Sequence, residues 1–104
     1  MGKIIVIGSS NTDMVVNTPH MPVPGETVMG GEFHVFPGGK GANQAVAAAR
    51  AGGEVTFVAK VGNDDFGKNA IAGYKADNID TGNIFIDPDV PSGVAVIIVE
   101  DTTG

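Results

Sequence analysis

Residues 38–51 run Gly38-Gly39-Lys40-Gly41-Ala42-Asn43-Gln44-Ala45-Val46-Ala47-Ala48-Ala49-Arg50-Ala51, and most of the architecture can be worked outward from them. With Pro37 in front, the three glycines make a tight loop whose bare backbone can approach a ligand or a neighbouring chain segment closely, N–H groups outward. From Ala42 to Ala51 six of the ten residues are alanine, with Val46 among them; alanine is a strong helix former with a side chain small enough to let the helix lie close on a sheet. Gly52-Gly53 stop that helix. Lys40 and Asn43 add a cation and a two-way hydrogen bonder of the kind that suits a polyol. The same residues would serve equally as a plain turn into a helix. The dinucleotide fingerprint is not met, because its third glycine position holds Gln44.

Upstream, Ile4-Ile5-Val6-Ile7 is a continuous β-branched run closed by Gly8, the pattern of a strand covered on both faces of a parallel sheet. Ser9-Ser10-Asn11-Thr12-Asp13 then reads as a polar loop at the strand's carboxyl end, where ligands sit in open α/β sheets. Asn11 and Asp13 are one residue apart, so in an extended segment both face one side, where an amide and a carboxylate can grip adjacent hydroxyls. As turn formers the same two residues would simply cap the strand. Met14 to Val16 and Thr27 to Phe36, separated by Pro19, Pro22, Pro24 and Gly25, read as short strands of a small antiparallel sheet.

Downstream, Val55 to Val61 reads as a second core strand, followed by a turn at Gly62-Asn63-Asp64-Asp65 and a helix from about Phe66 to Ala76. Phe66, Ala70, Ile71 and Tyr74 fall on one face of it. Asn83 to Asp87 is a brief strand, Pro88 to Gly93 a loop, Val94 to Val99 an apolar strand, and Glu100 to Gly104 a polar turn. A turn in that place has no second strand to return along, so the chain is expected to be cut from something longer; a plain polar tail is the alternative.

Composition narrows the partners. Six basic against twelve acidic residues give a net charge of −6, which disfavours nucleic acid and anionic membrane surfaces. With no cysteine, disulfides and thiolate metal sites are excluded. No apolar run approaches the length of a membrane span or signal core, so a cytoplasmic protein is expected. His20 and His34 look isolated, without a carboxylate or second histidine at metal spacing. The segment Gly62-Asn63-Asp64-Asp65-Phe66-Gly67-Lys68-Asn69 nearly spells a P-loop. However, Asn69 replaces the magnesium-binding hydroxyl and two aspartates sit where phosphate would need positive charge. Capping of the following helix by Asp64 or Asp65 explains it better.

Taken together, Gly38 through Ala45, with Gly52 and Gly62 at their spacing, resemble the first signature of the ribokinase-like (PfkB) carbohydrate kinase family. The opening Ile4 to Asp13, the segment Pro24-Gly25-Glu26-Thr27 and the run Ser92-Gly93-Val94-Ala95 are similar to the same family. The resemblance covers essentially all 104 residues.

It implies a partial three-layer α/β core, a parallel-type sheet with helices, plus a small β-sheet lid with strands near 14–36 and 94–99. It also implies a sugar site, D-ribose by preference, built from Asn11, Thr12, Asp13, Gly39, Lys40, Gly41, Ala42 and Asn43, with Ala95 and Ile97 on the lid. The implied activity of the longer parent is phosphorylation of ribose at its 5-hydroxyl with ATP, magnesium and a monovalent cation. The catalytic base, the anion hole and the nucleotide site would all lie beyond residue 104, so no catalytic residue, cofactor site or metal ligand is assigned here. The 104 residues alone are expected to be inactive. Homodimerisation through the lid strands is implied as well. The alternatives are a non-catalytic fragment that self-associates, or part of a kinase for another sugar or a nucleoside.

Overall fold

In the computed structural model, which describes residues 2–101, the β-branched run of the N-terminus becomes β1 (Lys3–Ile7). The chain continues through β2 (Asn11–Thr18), β3 (Phe33–Gly38), α1 (Lys40–Arg50), β4 (Glu54–Gly62), α2 (Asp65–Ala76), β5 (Ile84–Asp87) and β6 (Gly93–Glu100). Two three-stranded sheets result, ordered β1-β4-β5 and β3-β2-β6. The first is wholly parallel, with Val6 opposite Phe57 and Ala59 opposite Ile84. The second is mixed: β2 runs antiparallel to β3 and parallel to β6.

The core lies where β4 meets both helices. Val55, Phe57 and Ala59 alternate along one face of β4 and pack on Ala42 and Ala45 of α1, Tyr74 of α2 and Ile79. Alanines at the helix contact let α1 sit close, and Phe57 fills the space under α2, its ring edge-on to Tyr74 at a centroid distance of 5.4 Å. Such an aromatic pair adds about 0.5–1.5 kcal/mol beyond its burial. Asp64 caps α2 by accepting from the Gly67 N–H at 2.8 Å. Helix α1 ends at Gly52, whose φ of 99° only glycine adopts readily.

Several expectations are corrected. Ile4 to Ile7 is not covered on both faces. Both helices pack on the Phe57 side of the sheet, and Ile5, Ile7 and Phe85 on the other side are 68%, 78% and 60% exposed. Asn11 to Asp13 is not a loop but the start of β2, whose ladder begins at Asn11 against both Gly38 and Gly93. The small sheet is mixed rather than antiparallel, because β6 enters beside β2 in the same direction. Thr27 to Glu32 forms no strand. There Gly31 donates to the Asn17 carbonyl, and a side chain on Gly30 would collide with Val16, so this stretch crosses β2 as bare backbone. Helix α1 begins at Lys40, taking in two residues expected in the loop. Thr102, Thr103 and Gly104 of the expected terminal turn lie outside the described residues.

One close approach ties β1 to α1. A Cβ on Gly8 would fall 2.9 Å from Gly41 Cα, and one on Gly41 2.7 Å from Gly8 Cα. Gly8→Ala is therefore expected to destabilise the fold by about 2 kcal/mol, because backbone on both sides must move. Gly73→Ala, in open space on α2, should instead stabilise by about 0.5–1 kcal/mol through helix propensity. Urea unfolding of the two variants checks both signs.

Candidate functional site

Strand β2 presents two chemically different faces because side chains alternate. Asn11 and Asp13 share one face, and the register sets Ala95 beside Asp13 and Ile97 beside Val15, two residues further along that face. Two glycines flank the polar pair. A Cβ on Gly38 would lie 2.5 Å from Asp13 Oδ1, and one on Gly93 would collide with Asn11 Oδ1. The carboxylate and the amide thus occupy space that neighbouring side chains would otherwise fill. Gly38 and Gly39 lead directly into Lys40 at the first turn of α1, and Gly39 caps that helix at a φ of 98°. The Ala42 N–H reaches back to the Ser9 carbonyl at 3.0 Å, drawing the helix start onto the segment just before Asn11.

Of the residues the sequence marked, Asn11, Asp13, Ala95 and Ile97 are held together by this strand pairing, Gly39 caps α1, and Lys40 and Asn43 stand exposed at the start of that helix. Among the described residues no hydrogen bond or ion pair engages the side chains of Asn11, Asp13, Lys40 or Asn43. Three residues sit differently. Thr12 points to the opposite face, 8% exposed, and lines an apolar trough with Val46, Phe66 and Tyr74. Gly41 is buried against Gly8, and Ala42 is buried in the core.

A cleft of about 200 Å³ opens beyond the carboxyl ends of β1, β4 and β5, lined by Ser10, Asn11, Gly62, Asp87, Ser92 and Gly93. This is the edge at which open α/β sheets bind ligands. Sequence reasoning missed Ser10, Asp87 and Ser92. The buried Ser10 hydroxyl bonds the Tyr74 hydroxyl, tying the segment before Asn11 to α2. Burial raises the Tyr74 phenol above its ordinary value, offset in part by that bond. Asp87 accepts from the N–H groups of Asp89 and Val90 and pairs with Lys60 at 3.1 Å. The pattern Asp87-Pro88-Asp89 is a turn signal that could have located it.

The near-P-loop does not fit a phosphate. Its Gly67 N–H is consumed by Asp64 at 2.8 Å, and the Lys68 N–H by the Asp64 carbonyl at 3.1 Å. Nor do His, Asp and Glu gather in a group that could hold a metal ion, among the described residues. The two histidines are not isolated, contrary to the sequence reading. His20 Nε2 lies 3.1 Å from Glu26 and His34 Nε2 3.3 Å from Glu32, both at the surface. The turn at Pro24-Gly25 brings Glu26 back to His20, whereas Glu32 and His34 are two residues apart at the start of β3 and so share one side of it. The polar groups around Asn11, Asp13, Lys40 and Asn43 can orient hydroxyls.

The profile described as pfkB family carbohydrate kinase matches residues 1–104. The chain belongs to that family. It is 45% identical over 98 residues to a ribokinase of Mus musculus, covering 94% of this chain and 30% of that one. A ribokinase of Bacillus subtilis is 45% identical over 101 residues, covering 97% and 34%. The crystal structure of a ribokinase from Cryptococcus neoformans in complex with ADP superposes with a TM-score of 0.86 at 35% identity, covering 100% of this chain and 32% of that chain. The chain thus spans about a third of the length of these family members. No helix among the described residues is long and apolar enough to cross a membrane.

Two aspartates near the cleft are expected to make stability fall in acid. Asp64 is held below the ordinary carboxylate range by the Ser92 and Gly67 N–H groups and the Ser92 hydroxyl. Asp87 is held there by the Asp89 N–H, then by Lys60 and the Val90 N–H. A carboxyl whose native pKa is depressed adds stability above its unfolded value, near 3.9, and loses it as pH falls through the lower native value. The melting temperature should therefore hold, as far as these groups contribute, from pH 7 to 5 and drop below about pH 4. Asp64→Asn with Asp87→Asn should lower it at pH 7 and flatten the acid limb, read by calorimetry. An equally steep limb in the double variant would contradict this.

Proposed function

We propose that this chain is the sugar-holding part of an ATP-dependent ribokinase, with D-ribose as the sugar. The observation that carries this reading is the presence of Asn11, Asp13, Lys40 and Asn43 around one corner of the fold with no protein partner among the described residues. The ribokinases matched across nearly the whole chain support it. In this reading the Asp13 carboxylate accepts from two adjacent hydroxyls, and the Asn11 amide both accepts and donates. Lys40 and Asn43 donate from the start of α1, with the Gly39 backbone alongside. Ala95 and Ile97 offer an apolar surface to the C–H face of the sugar. Thr12, Gly41 and Ala42 act through packing beneath the site.

In this reading the full reaction draws on ATP, magnesium and a monovalent cation, and among the described residues no group of His, Asp and Glu could hold a metal ion. Phosphoryl transfer depends on positioning and charge stabilisation around the phosphate. The 104 residues alone should therefore bind sugar weakly and turn over no ATP. Asp13→Ala is expected to weaken ribose binding roughly 10- to 100-fold, the range for losing a charged hydrogen-bonding partner. Chemical-shift titration with ribose measures it, with fructose and a nucleoside as competitors to fix the sugar class. An Asp13→Ala chain that binds ribose as well as the parent would remove the reading.

A second reading concerns self-association. Strands β3 and β6 are both edges of their sheet, and Phe33, Val35, Val94, Val96 and Ile98 are exposed along them. Such edges invite pairing with a second copy, and we place a homodimer there, through the lid strands. Sedimentation should show mass rising with concentration, and Val96→Lys should abolish the rise.

A further inference from the structure

Asp64 accepts three hydrogen bonds at one point of the fold. Oδ1 takes the Gly67 N–H at 2.8 Å and the Ser92 hydroxyl at 2.8 Å, and Oδ2 takes the Ser92 N–H at 2.9 Å. Ser92 Oγ in turn accepts from the Gly62 N–H at 2.8 Å. Four bonds thus join the end of β4, the cap of α2 and the residue just before β6. The glycines of the Gly62–Lys68 segment serve this junction. A Cβ on Gly67 would collide with the Gly62 carbonyl and approach Ser92 Oγ to 3.1 Å, and one on Gly62 would collide with the Ser92 nitrogen. Where a phosphate loop clears its glycines for an anion, this loop clears them for a serine.

The residue after Ser92 is Gly93, the ladder partner of Asn11, and its missing side chain makes room for the Asn11 amide. Gly62, Ser92, Gly93 and Asn11 also line the same cleft. We infer that Asp64 is a positioning residue for the sugar edge: by gripping Ser92 it fixes where β6 leaves the core, and so where Gly93 lies against Asn11. This rests on the reading of that edge as sugar-binding. Without the carboxylate, the Ser92 N–H, the Ser92 hydroxyl and the Gly67 N–H lose their acceptor together. Strand β6 would still pair with β2, but its first residues would no longer be tied to the core.

The test is amide NMR on the 104-residue chain, comparing Asp64→Ala, Ser92→Ala and Ser92→Thr with the parent, with and without ribose. In Asp64→Ala the Gly62 and Ser92 amides should exchange with solvent at least about ten-fold faster, while those of Phe57 and Ala59 keep their rates. The Asn11 side-chain amide should shift, and ribose should bind about ten-fold more weakly. Ser92→Ala should reproduce a smaller version of these changes and Ser92→Thr should restore the parent behaviour. If Asp64→Ala does not fold, the two Ser92 variants decide the same question. Faster exchange at Gly62 and Ser92 with Asn11 and ribose affinity unmoved would overturn the inference, leaving the junction as plain structural support. The ribose titration of the parent chain tests the sugar reading separately. If the parent binds no ribose, the Asn11 resonance alone decides whether Asp64 positions that edge.

Discussion

Where β1 ends, its backbone runs against the first turn of α1 with no side chain between them, since the residues at the crossing are Gly8 and Gly41. Buried atoms pack at crystal-like density, so two backbones at this distance leave no room for even one methyl group. From that contact the rest of the corner follows. The Ala42 N–H meets the Ser9 carbonyl, the small face of α1 settles on β4, and Lys40 and Asn43 arrive beside the start of β2. Residues some thirty positions apart in the chain thereby share one edge, and they do so through bare backbone instead of interlocking side chains.

Strand β2 then divides labour between its faces. Thr12 turns inward, where Phe66 and Tyr74 of α2 and Val46 of α1 line the same trough. Asn11 and Asp13 turn the other way, each beside a glycine on a neighbouring strand. Because β2 is also the central strand of the second sheet, the polar pair and the apolar Ala95 and Ile97 belong to one continuous surface. Any shift of that sheet carries the polar pair with it. Asp13 is neither paired nor bridged by any described residue, which is an unusual state for a carboxylate beside buried structure.

Much of this was legible in the sequence, for identifiable reasons. The alanine run of α1, the alternation of Val55, Phe57, Ala59 and Val61, and the Asp64 cap are local patterns that the core and capping contacts preserve. What escaped depends on partners distant in the chain. Asn11 to Asp13 has turn-forming composition, yet it is extended because Gly38 and Gly93 pair with it from either side. Ile5 and Ile7 have the composition of a strand buried on both faces, but both helices lie on one side of the sheet. The importance of Ser92 could not be read from its neighbours, since its partners Asp64 and Gly62 are about thirty residues upstream. The histidine pairs were missed because the spacing of His20 to Glu26 matches no regular element, and only the turn at Pro24-Gly25 closes it.

The parallel pairing of β2 with β6 also governs the order in which the molecule can assemble. Asn11 and Gly93 are about eighty residues apart, and β6 is the last of the described elements to be synthesised. Parallel neighbours cannot be zipped by a hairpin, so the entropy of closing that long loop must be met before any of their ladder bonds form. On a ribosome, β1, α1 and β4 can meet early, whereas the strand bearing Asn11 and Asp13 waits beside β3 with one edge open. A nascent chain halted before residue 93 would therefore lack the strand that flanks Asn11 and Asp13 on that side.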